Sequence, residues 1–350
     1  MDPRDKSPGM TNLVVMTSPK TPLGRTAAIA HARALSQPAR NQSLGGTRMP
    51  EITANGVRLH YDIHGPEAGE PLLLIMGLGA QMTRWPMEFV DELAGRGYRV
   101  IRYDNRDVGL SEKLDAAGAP DMPAVYTALM VGQKPNVPYL LSDMAADAVG
   151  LMDGLGVERA HIVGASMGGM IAQMVAAEYP QRVLSLSSIM SSTGNPALPP
   201  ASPQAMERLT NRGPDPQHDL EAFLDHGVQS SKVLGSPGYP VDEAELKAQL
   251  RSDYQRSFYP VGFARQMAAI VASGDRRKAL ATITAPTVVI HGADDPLVPK
   301  AGGEDTAANI PGAELHLIPG MGHNLPKAVI TPICDLIELA TARARAPASA

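Results

Sequence analysis

The chain has 350 residues, 44% of them hydrophobic and 19% charged, an ordinary globular composition with ample length for a large core. A formal net charge of -5 argues against the basic face that a nucleic-acid or anionic-membrane partner requires. No apolar run approaches the roughly 20 residues of a membrane span, and the single cysteine, Cys334, excludes an internal disulfide.

Residues 1–48 carry Arg4, Lys6, Lys20, Arg25, Arg33, Arg40 and Arg48 against only Asp2 and Asp5, and show no sustained periodicity. Their one apolar patch, Leu13–Met16, is too short for a secretory signal. We read 1–48 as a disordered extension or a mis-assigned start, with a cleaved leader as the alternative. The folded domain is expected to span 49–350 and, with no secretory signal and one cysteine, to be cytoplasmic.

From Met49 onward, strand and helix signals alternate. Ile52–Val57 contains the Asn55-Gly56 hairpin signal, and Val57–Ile63 alternates as a second strand. Pro71–Met76 is a continuous apolar run, as suits a strand buried on both faces. After Pro86, the residues Phe89, Val90 and Leu93 fall at helical spacing, closed by Gly95 and Gly97. Tyr98–Tyr103 reads as a strand, and Ala119–Leu141 as an insertion at the rim of a pocket. Ser142 is placed to cap a helix carrying Met144, Ala148, Leu151 and Leu155. The strand Ala160–Gly164 is followed by a helix face of Met167, Met170, Ile171, Met174 and Val175, stopped by Pro180. Val183–Met190 is the sixth strand. Asn195–Gly238 is rich in Pro, Gly and polar residues, and helices are expected over Val241–Phe258 and Gly262–Leu280. Strands return at Pro286–His291 and Ala313–Ile318, and a last helix covers Thr331–Arg343, in which Cys334 is expected to be buried and inert. Repeated strand–helix units predict an α/β fold with a mostly parallel sheet flanked by helices. A helical cap, about 195–278, is inserted after the sixth strand.

Gly164-Ala165-Ser166-Met167-Gly168 matches G-x-S-x-G at a strand-to-helix junction. The chain must reverse there within a few residues, so glycines two positions either side of the serine leave room for strand and helix to approach. A serine hydroxyl needs a base. Of nine histidines, His323 lies in the glycine-rich loop Pro319–Asn324 after the last strand, on the sheet edge where the serine turn lies. His60, His64, His161, His291 and His316 fall in or at the ends of strands, and His218 and His226 in the cap. The base needs a carboxylate partner, and His291-Gly-Ala-Asp-Asp-Pro-Leu-Val-Pro299 supplies Asp294 and Asp295. No zinc spacing, G-x-G-x-x-G pattern or phosphate loop is present, so neither metal nor cofactor is expected.

These three loops, in this order, resemble the α/β-hydrolase superfamily from Pro50 to about Leu339. Ile75-Met-Gly-Leu-Gly79 is similar to the family's His-Gly loop, with Met76 in place of histidine. Tyr103-Asp-Asn-Arg-Asp-Val-Gly-Leu-Ser111 is similar to its Asp-x-Arg-Gly-x-Gly-x-Ser motif, with Asp107 in place of the first glycine. Both departures resemble the aclacinomycin methylesterase-like subgroup. The resemblance implies an α/β-hydrolase fold, an ester as the target and Asp295 rather than Asp294 as the acid. It also implies an oxyanion hole from the backbone N–H groups of Leu78 and Met167. Asp104, Arg106 and Asp107 are expected to form structural ion pairs.

The expected function is hydrolysis of a carboxylic ester through Ser166, His323 and Asp295 with an acyl-enzyme intermediate. The partner is a small apolar ester-like substrate, not a nucleic acid or a membrane, and oligomeric state is open. Candidate liners are Phe258, Tyr259 and Phe263 in the cap and the methionines Met76, Met167 and Met170. Alternatives on the same triad are thioester, lactone or carbon–carbon bond hydrolysis, acyl transfer and perhydrolysis. A non-catalytic ligand receptor is the alternative outside enzymes.

Overall fold

A computed structural model describes residues 50–211 and 213–346; the segment 1–48 lies outside the described residues. Strands β1 (Glu51–Ala54) and β2 (Val57–His64) form a hairpin with Ala54 opposite Val57. Its two turn residues, Asn55 (φ 49°) and Gly56 (φ 75°), adopt the left-handed conformations that such a short turn needs. Strand β2 pairs antiparallel with β4 (Tyr98–Tyr103). From β4 onward β3 (Glu70–Ile75), β5 (Ala160–Ala165), β6 (Val183–Ile189), β7 (Thr287–Gly292) and β8 (Glu314–Ile318) are all parallel. The spatial order is β1-β2-β4-β3-β5-β6-β7-β8.

The central strands lose water on both faces. Leu73, Ile75, Ile101 and Ile162 pack on one side against α3 (Leu141–Gly154) and α4 (Met167–Glu178). Leu72, Leu74, Val100 and Val163 pack on the other against α1 (Met87–Gly95) and α11 (Ile330–Arg345). Each fully buried Leu or Ile contributes about 1.5–3 kcal/mol, which is why this stretch reads as an unbroken apolar run rather than an alternating one. No described helix is long and apolar enough to cross a membrane.

Between β6 and β7 lie α5 (Pro203–Thr210), α6 (Leu220–Leu234), α7 (Glu243–Arg256), α8 (Pro260–Ser273) and α9 (Arg277–Leu280). Several elements add to or differ from the sequence expectation. Asn195–Gly238, where the sequence reading assigns no particular helix, holds two: Ser202 caps α5 through Ala205 N–H, and Asp219 caps α6 through Ala222 N–H. The helix expected over Gly262–Leu280 breaks at Gly274, whose φ of 54° a helix cannot continue. Ser142 does not cap α3; the Asp143 carboxylate accepts from Leu140 N–H at 2.7 Å, placing Ser142 inside the first turn. The 119–141 insertion forms α2 (Met122–Met130), which packs on α8, and none of its residues lines the cavities described below. A further helix, α10 (Ala301–Asn309), lies between β7 and β8.

Cys334 is fully buried on α11, and burial pushes its thiol up to about 12. Because only the thiolate attacks disulfide reagents, folded protein at pH 8 should react with an aromatic disulfide at a small fraction of the rate in guanidinium. Equal rates in the two conditions would mean that α11 does not pack as described.

Candidate active site

Strands β3 and β5 are neighbours, with Ile75 opposite Gly164, so the loops that leave their C-terminal ends start side by side. This is the point where strand order reverses, the usual ligand position in open parallel sheets. Ser166 sits between β5 and α4 at φ 56°, ψ −122°. The glycines around it are required by contact. A Cβ on Gly168 would lie 2.0 Å from Ile75 O, and one on Gly164 would lie 2.1 Å from Gly168 O. Ser166 N–H donates to Ile189 O at 2.9 Å, tying the turn to β6.

His323 Nε2 lies 2.9 Å from Ser166 Oγ, and its Nδ1 lies 2.7 Å from Asp295 Oδ2. That network selects the tautomer in which Nδ1–H donates to Asp295 and Nε2 accepts from the serine hydroxyl. Asp295 is buried, and its Oδ1 accepts from Leu297 N–H and Val298 N–H at 2.9 and 2.8 Å. Asp294 is exposed and bonds Gly320 N–H instead, away from the imidazole. The adjacent pair that sequence position alone leaves open is thus separated by the turn. The backbone N–H groups of Leu78 and Met167 make no hydrogen bond with any described residue; Met167 directly follows Ser166, and Gly77, just before Leu78, packs on the serine, where an added Cβ would lie 3.1 Å from its Cβ.

The other histidines do different work. His161 is fully buried between Ser185 Oγ (2.7 Å) and Glu70 (3.1 Å), and His291 donates Nε2–H to Val298 O at 2.8 Å, bracing the Asp295 loop. His60 is buried on β2 of the hairpin.

The motif after β4 builds structure. Arg106 makes two 2.6 Å bonds to Asp147 on α3. Asp107, at φ 68°, is fully buried and pairs bidentately with the fully buried Arg265 of α8 at 2.6 and 2.8 Å. Tyr139 donates to the same carboxylate at 2.8 Å. Neither Arg265 nor its neighbour Gln266 stands out by motif. The one available signal was two adjacent polar residues inside an otherwise apolar helix.

Ser166 and His323 open into a cavity of about 470 Å³ lined also by Met76, Met167, Met170, Met190, Met206 and Met267. A second cavity, about 410 Å³, shares Leu78, Ala80, Arg84 and Leu209 with the first. It is walled by Phe223, Tyr254, Phe258, Tyr259 and Phe263, so three of the chain's four phenylalanines meet there.

A sheet of this order carrying a serine turn and a histidine–carboxylate pair defines a class, and the comparisons agree. The chain matches the alpha/beta hydrolase fold family over residues 70–326 and belongs to it. It is 31% identical to rhodomycin D methylesterase DnrP of Streptomyces peucetius, over 83% of this chain and 96% of that one. It is 30% identical to the putative carbamate hydrolase RutD of Variovorax paradoxus, over 76% of this chain and 89% of that one. In three dimensions it is similar to the enol-lactonase of Burkholderia xenovorans, with TM-score 0.59 and 23% identity over 83% of this chain and 97% of that one. The chain is therefore an enzyme of the hydrolase kind.

Two measurements test the buried charges. Arg265→Met should cost about 3–5 kcal/mol in urea unfolding, because it strands a buried carboxylate. Adding Asp107→Gly to that variant should recover much of the loss; strict additivity of the two would mean the pair is not coupled. The second concerns His60, His161 and His291, whose pKa values burial lowers from the ordinary 6.5. Their neutral state is favoured by folding, so the unfolded chain takes up protons first. Stability is complete above about 6.5 and is lost as pH falls through the lower folded values. The urea midpoint should drop between pH 7.5 and pH 5, and His161→Gln should flatten that slope.

Proposed function

We propose that this enzyme hydrolyses carboxylic esters by acyl transfer, with Ser166 as nucleophile, His323 as general base and acid, and Asp295 as the orienting carboxylate. The observation that carries the reading is the continuous line from Asp295 Oδ2 through His323 to Ser166 Oγ, at 2.7 and 2.9 Å, with the half-buried serine held at a left-handed φ on the turn between β5 and α4. Ser166 Oγ attacks the ester carbonyl carbon while His323 Nε2 takes its proton. The carbonyl oxygen gains charge beside the N–H groups of Leu78 and Met167, each such donor being worth about 10²–10³-fold in kcat. The N-terminus of α4 adds its partial positive charge there. The imidazolium then protonates the departing alkoxide. Water, deprotonated by His323, cleaves the acyl-enzyme and regenerates Ser166. Asp295 stays ionised throughout and stabilises the imidazolium.

The methionine lining supports an apolar substrate, since thioether side chains adapt to irregular shapes without offering charge. The adjoining aromatic compartment supports a substrate with a second apolar portion beyond the reacting carbonyl. Similarity to a methylesterase supports an alcohol portion as small as methoxy.

Hydrolysis of a p-nitrophenyl ester series by wild type and triad variants tests the reading. Ser166→Ala and His323→Ala should each lower kcat by about 10⁶, Asp295→Ala by about 10⁴, and the triple variant by no more than the worst single one. A folded Ser166→Ala protein with wild-type turnover would remove Ser166 from the chemistry.

A further inference from the structure

The loop after β3 that carries Leu78 is gripped at three points. Asn105 Nδ2 donates to Met76 O at 2.9 Å, and Asp104 Oδ1 accepts from Met82 N–H at 2.8 Å, fixing the two ends. The middle is held from the cap. Gln266 of α8, fully buried, accepts from Gly79 N–H through Oε1 at 2.8 Å and donates through Nε2 to Arg106 O at 2.8 Å. Gly79 follows Leu78 directly, so the bond to Gln266 fixes the peptide next to the one that carries Leu78 N–H, whose own far neighbour Gly77 packs on Ser166. It also removes Gly79 N–H as a competing donor. Arg265, one residue earlier on the same helix, is locked to Asp107, so α8 itself has little freedom to slide. Gly79, at φ 65°, packs so closely on Phe263 of the same helix that a Cβ would lie 2.6 Å from the ring.

We propose that Gln266 is a positioning residue for the oxyanion hole: its side-chain amide bridges Gly79 N–H and Arg106 O and thereby aims Leu78 N–H at the reacting carbonyl. The inference rests on the esterase reading given above. Gln266 touches neither the triad nor the reacting atoms. Its contribution comes through one backbone donor, so it acts on the tetrahedral species more than on the bound ester.

The test compares wild type, Gln266→Met and Gln266→Glu in hydrolysis of a short p-nitrophenyl ester, together with inhibition by a matching trifluoromethyl ketone. The ketone forms a tetrahedral adduct whose oxyanion needs the same hole. Gln266→Met keeps the volume and loses both bonds. It should lower kcat about 10- to 100-fold with KM within about threefold, and ketone affinity should fall in step with kcat/KM. Gln266→Glu is isosteric with the amide while its carboxyl is protonated, donating to Arg106 O and accepting from Gly79 N–H. The ratio of its kcat to that of wild type should therefore rise as pH is lowered, whereas the Gln266→Met ratio stays flat. Should Gln266→Met fail to fold, the pH-dependent rescue in Gln266→Glu decides by itself. Wild-type kcat and ketone affinity in Gln266→Met, or a Gln266→Glu ratio that stays low at every pH, overturns the inference. A wild type that neither turns over esters nor is labelled by a fluorophosphonate removes the esterase reading first and this inference with it.

Discussion

The constraint on which the site depends is the passage of Gly168 over the end of β3. The first turn of α4 lies so near Ile75 O that no side chain fits between them. That approach is what lets one residue, Ser166, turn the chain from strand to helix. It also forces the serine into a conformation that costs roughly 1–3 kcal/mol. The surrounding packing offsets this, since α4 is buried along most of its length and Ser166 N–H is satisfied by Ile189 O. Everything else at the site is arranged around the resulting point. The loop after β3 begins beside it, and Gly77 is the next position where a side chain would crowd the serine, at 3.1 Å from its Cβ.

The segment between β6 and β7 does more than roof the cavity. Its contacts with the sheet domain land on the loops that present functional groups. Besides the Gln266 bridge, Asp253 and Ser257 accept from Gln81 on the loop after β3, and Asp253 holds Thr83 and Arg84. At the other end, Leu234 O accepts from His323 N–H at 2.8 Å, and Ser236 Oγ accepts from Gly322 N–H at 2.9 Å. A Cβ on Gly322 would lie 2.1 Å from Gly235 O, so the histidine loop and the end of α6 are packed backbone to backbone. Positions on both the His323 loop and the loop after β3 thus depend on the helices that the sequence reading assigns to a cap.

Much of this was legible because the strongest physical demands leave residue signatures. The sheet showed itself through apolar runs, the serine turn through glycines no other residue can replace, and His323 through a glycine-rich loop after the last strand. The choice of Asp295 over Asp294 came from family resemblance, and only the turn geometry separates their side chains. The cap was the least legible part. Leu220–Leu234 has two fully or nearly buried residues, Leu224 and Val228, too few to impose a clear period on a helix that is mostly half-exposed. Gln266 and Arg265 gave only the weak signal of two polar residues in an apolar helix, for another reason. Their partners are backbone groups and a loop carboxylate about 160–190 residues away, and no local pattern encodes such a pairing.

Asp107 brings these threads together. At φ 68° a glycine would sit without strain, and an aspartate pays about 1–2 kcal/mol for the left-handed conformation. Its carboxylate is also fully desolvated, which the pairing with Arg265 offsets but does not turn into a large net gain. Stability alone therefore gives no reason to prefer aspartate here. Specificity does. A buried bidentate pair has one good geometry, and Tyr139 and Leu114 N–H, both bonded to the same carboxylate, narrow it further. A Cβ on Gly262 would lie 2.0 Å from Asp107 O, so α8 approaches this loop too closely for any side chain at that position. The pair fixes the register of α8 against the sheet, and that register decides whether the next residue along, Gln266, meets Gly79 N–H or misses it.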